Sequence, residues 1–324
     1  MTANVNKFAF GAPETVSPNP REMKVKRFGP AGTIEVEVMI YRGELADLRP
    51  LLIVGSIDFP MPPSVKFCEQ MWSKGLQVIY IRRPGFGGAR ALPSVLLDEK
   101  LINSGATVAA EAALLLNFLD DLSLRNIILM GLGTGNSVCY RLSRLSKNVS
   151  LSIFANPVFN QDILEVFRPR WFQTLLGLIM KTRSGVRIAE VGLKHQLKKD
   201  PVKFYDDVLE KCPGDRDYIA ENRSDLFAAS ELFLNVQPET FFYNIRMTLL
   251  PDRTLKDGYF AGLNVVVLSG EETTDIWKSE LNREAKRLSL PVVLAPKGDI
   301  FVPYVSPEYV LSTIAKYDQS AYYT

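Results

Sequence analysis

Histidine is the scarcest chemical resource in this chain: one residue, His195, in 324. That count removes most histidine-based metal sites and makes any His-dependent triad hinge on a single side chain. Cysteine is also sparse, with Cys68, Cys139 and Cys212 far apart and odd in number. Such usage fits reduced thiols in a cytoplasmic protein rather than a disulfide framework. No apolar run is long enough for a signal peptide or a membrane span. A net charge of +2 gives no case for nucleic acid or acidic lipid as partner. The basic cluster Lys194–Lys199 reads as a solvated helix face.

What the chain does have is an ordinary globular composition, 47% hydrophobic and 23% charged. At this length it suits one large α/β domain with an insertion, or two domains. Residues 1–20 read as an arm. Met23–Phe28 and Thr33–Tyr41 read as a hairpin around a Gly-Pro-Ala-Gly turn, and Pro50–Val54, Leu76–Ile81, Asn126–Met130 and Val149–Phe154 as buried strands. Helices are expected near 64–74, 107–119 and from Ser137 onward. The rhythm breaks over 159–258, where helical patterns appear at Trp171–Lys181, Arg187–Leu197, Pro201–Glu210 and Ser224–Asn235, with breakers at Gly185, Pro213-Gly214 and Pro238. It resumes with strands at Asn264–Leu268 and Pro291–Ala295 and helices at Ile276–Leu288 and Pro307–Tyr317. The order predicts a mostly parallel sheet with helices on both faces: core over 21–158 and 259–324, and a helical lid over 159–258.

The stretch Asn126–Asn136, NIILMGLGTGN, joins a buried strand to a helix through Gly131, Gly133 and Gly135. The spacing is that of a nucleophile elbow, which lifts one reactive side chain above the sheet. The lifted position here is Gly133, which has no side chain. A G-x-G-x-G turn also cradles phosphates, but that turn follows the first parallel strand of a dinucleotide fold, and this one follows the third.

Three segments together resemble the α/β-hydrolase superfamily over nearly the whole chain. VIYIRRPGFGGA (78–89) looks like its D-x-P-G-x-G-x-S loop, Gly131–Gly135 like its elbow, and KGDIFVPYVSP (297–307) like its closing G-H loop. The resemblance implies catalytic positions at Gly133, Thr273 and Asp299, none of which carries its expected nucleophile, acid or histidine. The usual Asp and Ser of the first motif are Arg82 and Ala89, and the His-Gly of the oxyanion loop is Val54-Gly55-Ser56.

Substitutes are few. Thr134 carries a hydroxyl in the elbow, but its place normally lends a backbone N–H to the oxyanion hole, and no histidine is placed to activate it. Ser56 reads as a loop-capping hydroxyl, and His195 as a solvated helix residue. Glu271, Glu272, Asp275 and Asp299 are the available acids; Asp275 is expected to cap the following helix, Glu271 and Glu272 to face water, and Asp299 to pair with Arg82. Phe167, Trp171, Phe172, Phe204, Tyr205, Phe227, Phe233, Phe241, Phe242 and Tyr243 read mostly as packing within the lid.

The expectation is a non-catalytic protein of this fold, without metal or cofactor, binding a small apolar molecule or a protein partner. The ligand pocket would draw on Gly55, Ser56, Ile57, Gly133, Thr134, Trp171, Glu271 and Asp299. The alternative is an enzyme using Asp299 with Glu271 or Glu272 as acid and base in a lyase, isomerase or non-covalent hydrolase reaction.

Overall fold

The computed structural model describes residues 19–28, 34–57, 59–161, 177, 182–249 and 255–318. Eight strands form one sheet: β1 (Met23–Phe28), β2 (Ile34–Ile40), β3 (Arg49–Val54), β4 (Leu76–Arg82), β5 (Ile127–Leu132), β6 (Val149–Ala155), β7 (Val265–Gly270) and β8 (Val292–Ala295). Their spatial order is β1-β2-β4-β3-β5-β6-β7-β8. The β1–β2 and β2–β4 pairs are antiparallel and every later pair is parallel. Helices cover both faces. This explains the unalternating runs: LQVIYIR in β4 and IILMGL in β5 are buried at every position, as strands inside a sheet covered on both faces require.

The core helices are α1 (Val65–Trp72), α2 (Glu99–Asn103), α3 (Ala106–Asp121) and α4 (Gly135–Leu145). Between β6 and β7 come α5 (Arg183–Lys199), α6 (Pro201–Val208), α7 (Pro213–Glu221), α8 (Arg223–Asn235) and α9 (Pro238–Leu249). The chain closes with α10 (Asp275–Arg287), α11 (Val302–Val305) and α12 (Pro307–Tyr317). The expected helix at Trp171–Lys181 and the Gly-Pro-Ala-Gly turn lie outside the described residues. Two sequence expectations are corrected here. Pro213 and Pro238 do not merely interrupt; each is the first residue of a helix, where proline's fixed φ helps and its missing N–H costs nothing.

The cap of α10 is the second correction. Thr274, not Asp275, is the N-cap, its hydroxyl accepting from the Trp277 N–H, while Asp275 is exposed in the first turn beside Lys278. Thr274→Ala is expected to cost about 1 kcal/mol in denaturant unfolding, and Asp275→Ala less.

An aromatic seam joins the inserted helices to the core. Phe59 packs on Tyr205 and Phe301, and Tyr218 on Phe301 and Tyr304, with ring centroids 4.9–5.7 Å apart. The expectation that insert aromatics serve packing holds for Tyr205, Phe233, Phe241, Phe242 and Tyr243, all buried. Phe227 departs from it, 47% exposed on the outer side of α8.

Candidate functional site

The carboxyl ends of β3 and β5 bring two loops together, and the glycines between β5 and α4 set how closely. A Cβ on Gly135 would lie 2.4 Å from the Val54 carbonyl oxygen, and one on Gly131 would lie 2.9 Å from the Asn136 Cα. Gly133 sits at φ +46°, the left-handed conformation of an elbow apex, with nothing but hydrogen to present.

The two backbone amides that an acyl-transfer site uses as oxyanion donors come from the residue after the apex and from the loop after the first central strand. In this chain the residue after Gly133 is Thr134, and the loop after β3 contains Ile57. The N–H of each is taken up by a hydroxyl of the chain itself: Thr134 N–H donates to Ser56 Oγ (3.2 Å) and Ile57 N–H to Thr134 Oγ1 (3.0 Å). The two hydroxyl oxygens lie 3.4 Å apart, and Ser56, Ile57 and Thr134 are all buried. Three of the residues expected at the pocket, Ser56, Ile57 and Thr134, are thus hydrogen-bonded to one another. Nothing in the sequence signals that the two hydroxyls take up these amides.

Beside the elbow runs a buried polar network that sequence reading missed. Arg83 makes a two-pronged ion pair with Glu111 of α3, Nε to Oε1 at 2.7 Å and Nη2 to Oε2 at 2.9 Å. Its remaining prong donates to Asn244 Oδ1 (2.8 Å) and to Thr134 Oγ1 (3.3 Å). The Tyr243 hydroxyl donates to Glu111 Oε2 at 2.7 Å. Burial, with the Glu111 charge adding to it, raises the Tyr243 pKa well above its ordinary value. A lone Glu within the apolar run AAEAALLL of α3 was the available signal.

The Asp299 position organises a second cluster at the ends of β6 and β7. Its Oδ1 accepts from the Thr273 hydroxyl (2.8 Å) and from the Asn156 amide, and its Oδ2 from the Cys212 thiol (3.6 Å). Thr273 and Asp299, two positions that the resemblance marked out, are thus hydrogen-bonded to one another. The expected pair between Asp299 and Arg82 does not form. Arg82 turns toward the antiparallel neighbour of β4, pairing with Glu37 of β2 at 2.8 Å and donating to the Pro60 carbonyl. Glu271 also stays outside the cluster, exposed and 3.6 Å from Lys278. Glu272 does not face water as expected: its Oε2 accepts from the Gly214 and Gly298 amides. Trp171 lies outside the described residues, and His195 is exposed on α5.

Asp215, on α7, is fully buried against this cluster and accepts from the N–H groups of Asp299, Ile300 and Phe301 at 2.8–3.3 Å. Burial, with the Asp299 charge adding to it, pushes its pKa up to about 7 despite those donors. Burial raises the Asp299 pKa as well. The Cys212 thiol is raised by burial and then by Asp299, which makes it a poor nucleophile. Among the described residues no group of three His, Cys, Asp or Glu side chains is arranged to hold a metal ion. A cavity of about 400 Å³ opens beside Asp299, walled by Val158, Val208, Cys212 and Trp277 and, among polar and charged residues, by Asn156, Asp207, Glu210, Lys211 and Thr274.

No protein-family model matches the chain, and no curated protein matches it. Solved structures do. A putative epoxide hydrolase from Pseudomonas aeruginosa superposes with a TM-score of 0.64 at 17% identity, over 92% of this chain and 98% of its own. The Cif epoxide hydrolase from Acinetobacter nosocomialis gives 0.63 at 12% identity, over 91% and 88%. An esterase from Exiguobacterium antarcticum gives 0.57 at 14%, over 88% and 96%. The chain has the α/β-hydrolase fold.

Proposed function

We propose that this protein is a non-catalytic member of the fold that binds a small, largely apolar molecule, or a protein partner, under the helices inserted over 159–258. One observation carries the reading. Above an apex that is only Gly133, the amides of Thr134 and Ile57 already bind hydroxyls of the chain, so an incoming carbonyl finds no free donor pair. The cavity beside Asp299 supports the ligand half of the proposal, since a concave site that sets Val158, Val208 and Trp277 against the charged Asp207, Lys211 and Asp299 can hold and orient a small molecule.

The test is an activated-ester assay paired with a serine-hydrolase activity probe. The expected result is turnover at the buffer rate and no labelling. Turnover abolished by Thr134→Ala or Asp299→Asn would overturn the proposal.

A second reading has one observation in its favour. Asp215 and Asp299 share a site and both hold their protons more tightly than usual, as acid–base groups do. It would make the protein an enzyme using Asp299 for lyase, isomerase or non-covalent hydrolase chemistry. Its sequence form named Glu271 or Glu272 as the second carboxylate. Glu271 points away, and Glu272 is engaged by two amides, which leaves Asp215 as the partner to test by Asp215→Asn.

A further inference from the structure

The helix α5 carries more positive charge outward than the chain's overall balance suggests. Turning the helix at 100° per residue places Ser184, Ile188, Val191 and His195 along its outward midline. Arg187 and Lys198 flank one side of that line and Lys199 the other, and all of these residues are exposed. Ile188 is 71% and Val191 59% exposed, among the most exposed large apolar side chains of the described residues.

The only acid of the helix, Glu190, is buried on the opposite side, where Lys194 (2.8 Å) and Arg187 (3.3 Å) neutralise it. Lys198 and Lys199 make no ion pair among the described residues. The nearest acids at the ends of the helix are Asp200, which caps α6, and Glu239, 3.4 Å from Arg183. Cations in a last turn complement the helix dipole, which accounts for Lys198 and Lys199 but not for two solvent-facing β-branched residues about two and three turns before them.

We infer that the outward face of α5 docks on an anionic lipid surface, with Ile188 and Val191 entering the interface and Lys198 and Lys199 at the headgroups. A basic amphipathic face of this kind binds through apolar insertion and attraction to anionic lipid acting together. Lipid is favoured over an acidic protein by the sequence just ahead of the helix. There WFQTLLGLIM, uncharged, stands between Arg168-Pro169-Arg170 and Lys181, and from 168 to 199 eight Lys or Arg face a single Glu. Trp, Phe and Leu beside basic residues are the composition of an interfacial segment. The inference does not depend on the state of the elbow.

The experiment is co-sedimentation of the full chain with phosphatidylcholine vesicles, with and without phosphatidylglycerol. The expected result is binding only to the anionic vesicles, weakened at least about tenfold by Ile188→Asp/Val191→Asp and, separately, by Lys198→Glu/Lys199→Glu. Because these side chains are exposed, the variants keep the wild-type melting temperature, which verifies that they fold. Absence of binding to anionic vesicles, or binding that survives both pairs of substitutions, overturns the inference. So does sedimentation equilibrium showing that Ile188 and Val191 hold two copies together while the wild type ignores lipid.

Discussion

Arg83→Ala is expected to lower the unfolding free energy by about 3–5 kcal/mol, read as a shifted denaturant midpoint with little change in slope. The reason lies in what the substitution leaves behind. Glu111 is 1% exposed and would be left in the core with only the Tyr243 hydroxyl as its partner. Asn244 Oδ1 and Thr134 Oγ1 would each lose a donor. Glu111→Leu in the same background should recover much of the loss, because removing both charges of a buried pair is far cheaper than removing one. Full recovery is not expected, since Tyr243 then lacks an acceptor. An Arg83→Ala protein as stable as the wild type would mean that water reaches this network, contrary to its burial.

Stability should also fall as the pH rises from 5 to 8. The Asp215 carboxyl, with its pKa pushed up to about 7 by burial and by Asp299, binds its proton more tightly folded than unfolded, where Asp titrates near 4. The proton-linked contribution is therefore complete below about pH 4 and disappears as the pH climbs through 7. Each tenfold tightening of proton binding is worth about 1.4 kcal/mol, so the difference between pH 5 and pH 8 amounts to a few kcal/mol. Asp299, raised in the same direction, adds to the slope. Asp215→Asn should flatten the profile, and its effect relative to wild type should be more favourable at pH 8 than at pH 5. A stability curve that instead climbs over this range would show that the amides of Asp299, Ile300 and Phe301 hold Asp215 ionised.

Local signals exposed most of this architecture. Buried strands announce themselves as unbroken apolar runs, and the glycines after β5 can serve only a turn in which backbone meets backbone. The turn at Gly133, the loop after β7 with Thr273 and the loop after β8 with Asp299 could be placed from the sequence because the elbow and those loops have fixed places in the chain order. The partners of those positions could not. Arg83, Glu111 and Asn244 are up to 161 residues apart, and only the packing of α9 against the core makes them neighbours. Asp299 was matched with Arg82 on charge alone. The choice failed because the antiparallel pairing of β2 with β4 sets Glu37 opposite Arg82. Asp215 was hidden behind Pro213-Gly214, a dipeptide that looks like a loop and is in fact the opening of a helix.

The carboxylates of Glu272 and Asp215 have a mechanical consequence. Between them they receive the amides of Gly214, Gly298, Asp299, Ile300 and Phe301, so the start of α7 is riveted to the loop after β8. A second rivet, Arg21 to Asp225 at 2.7 Å, fastens the start of α8 to the strand-side edge of the body. The insert cannot swing away as one flap without shearing both. Because Glu210, Lys211 and Cys212 of the α6–α7 junction wall the cavity beside Asp299, the same rivets hold that wall in register with the sheet.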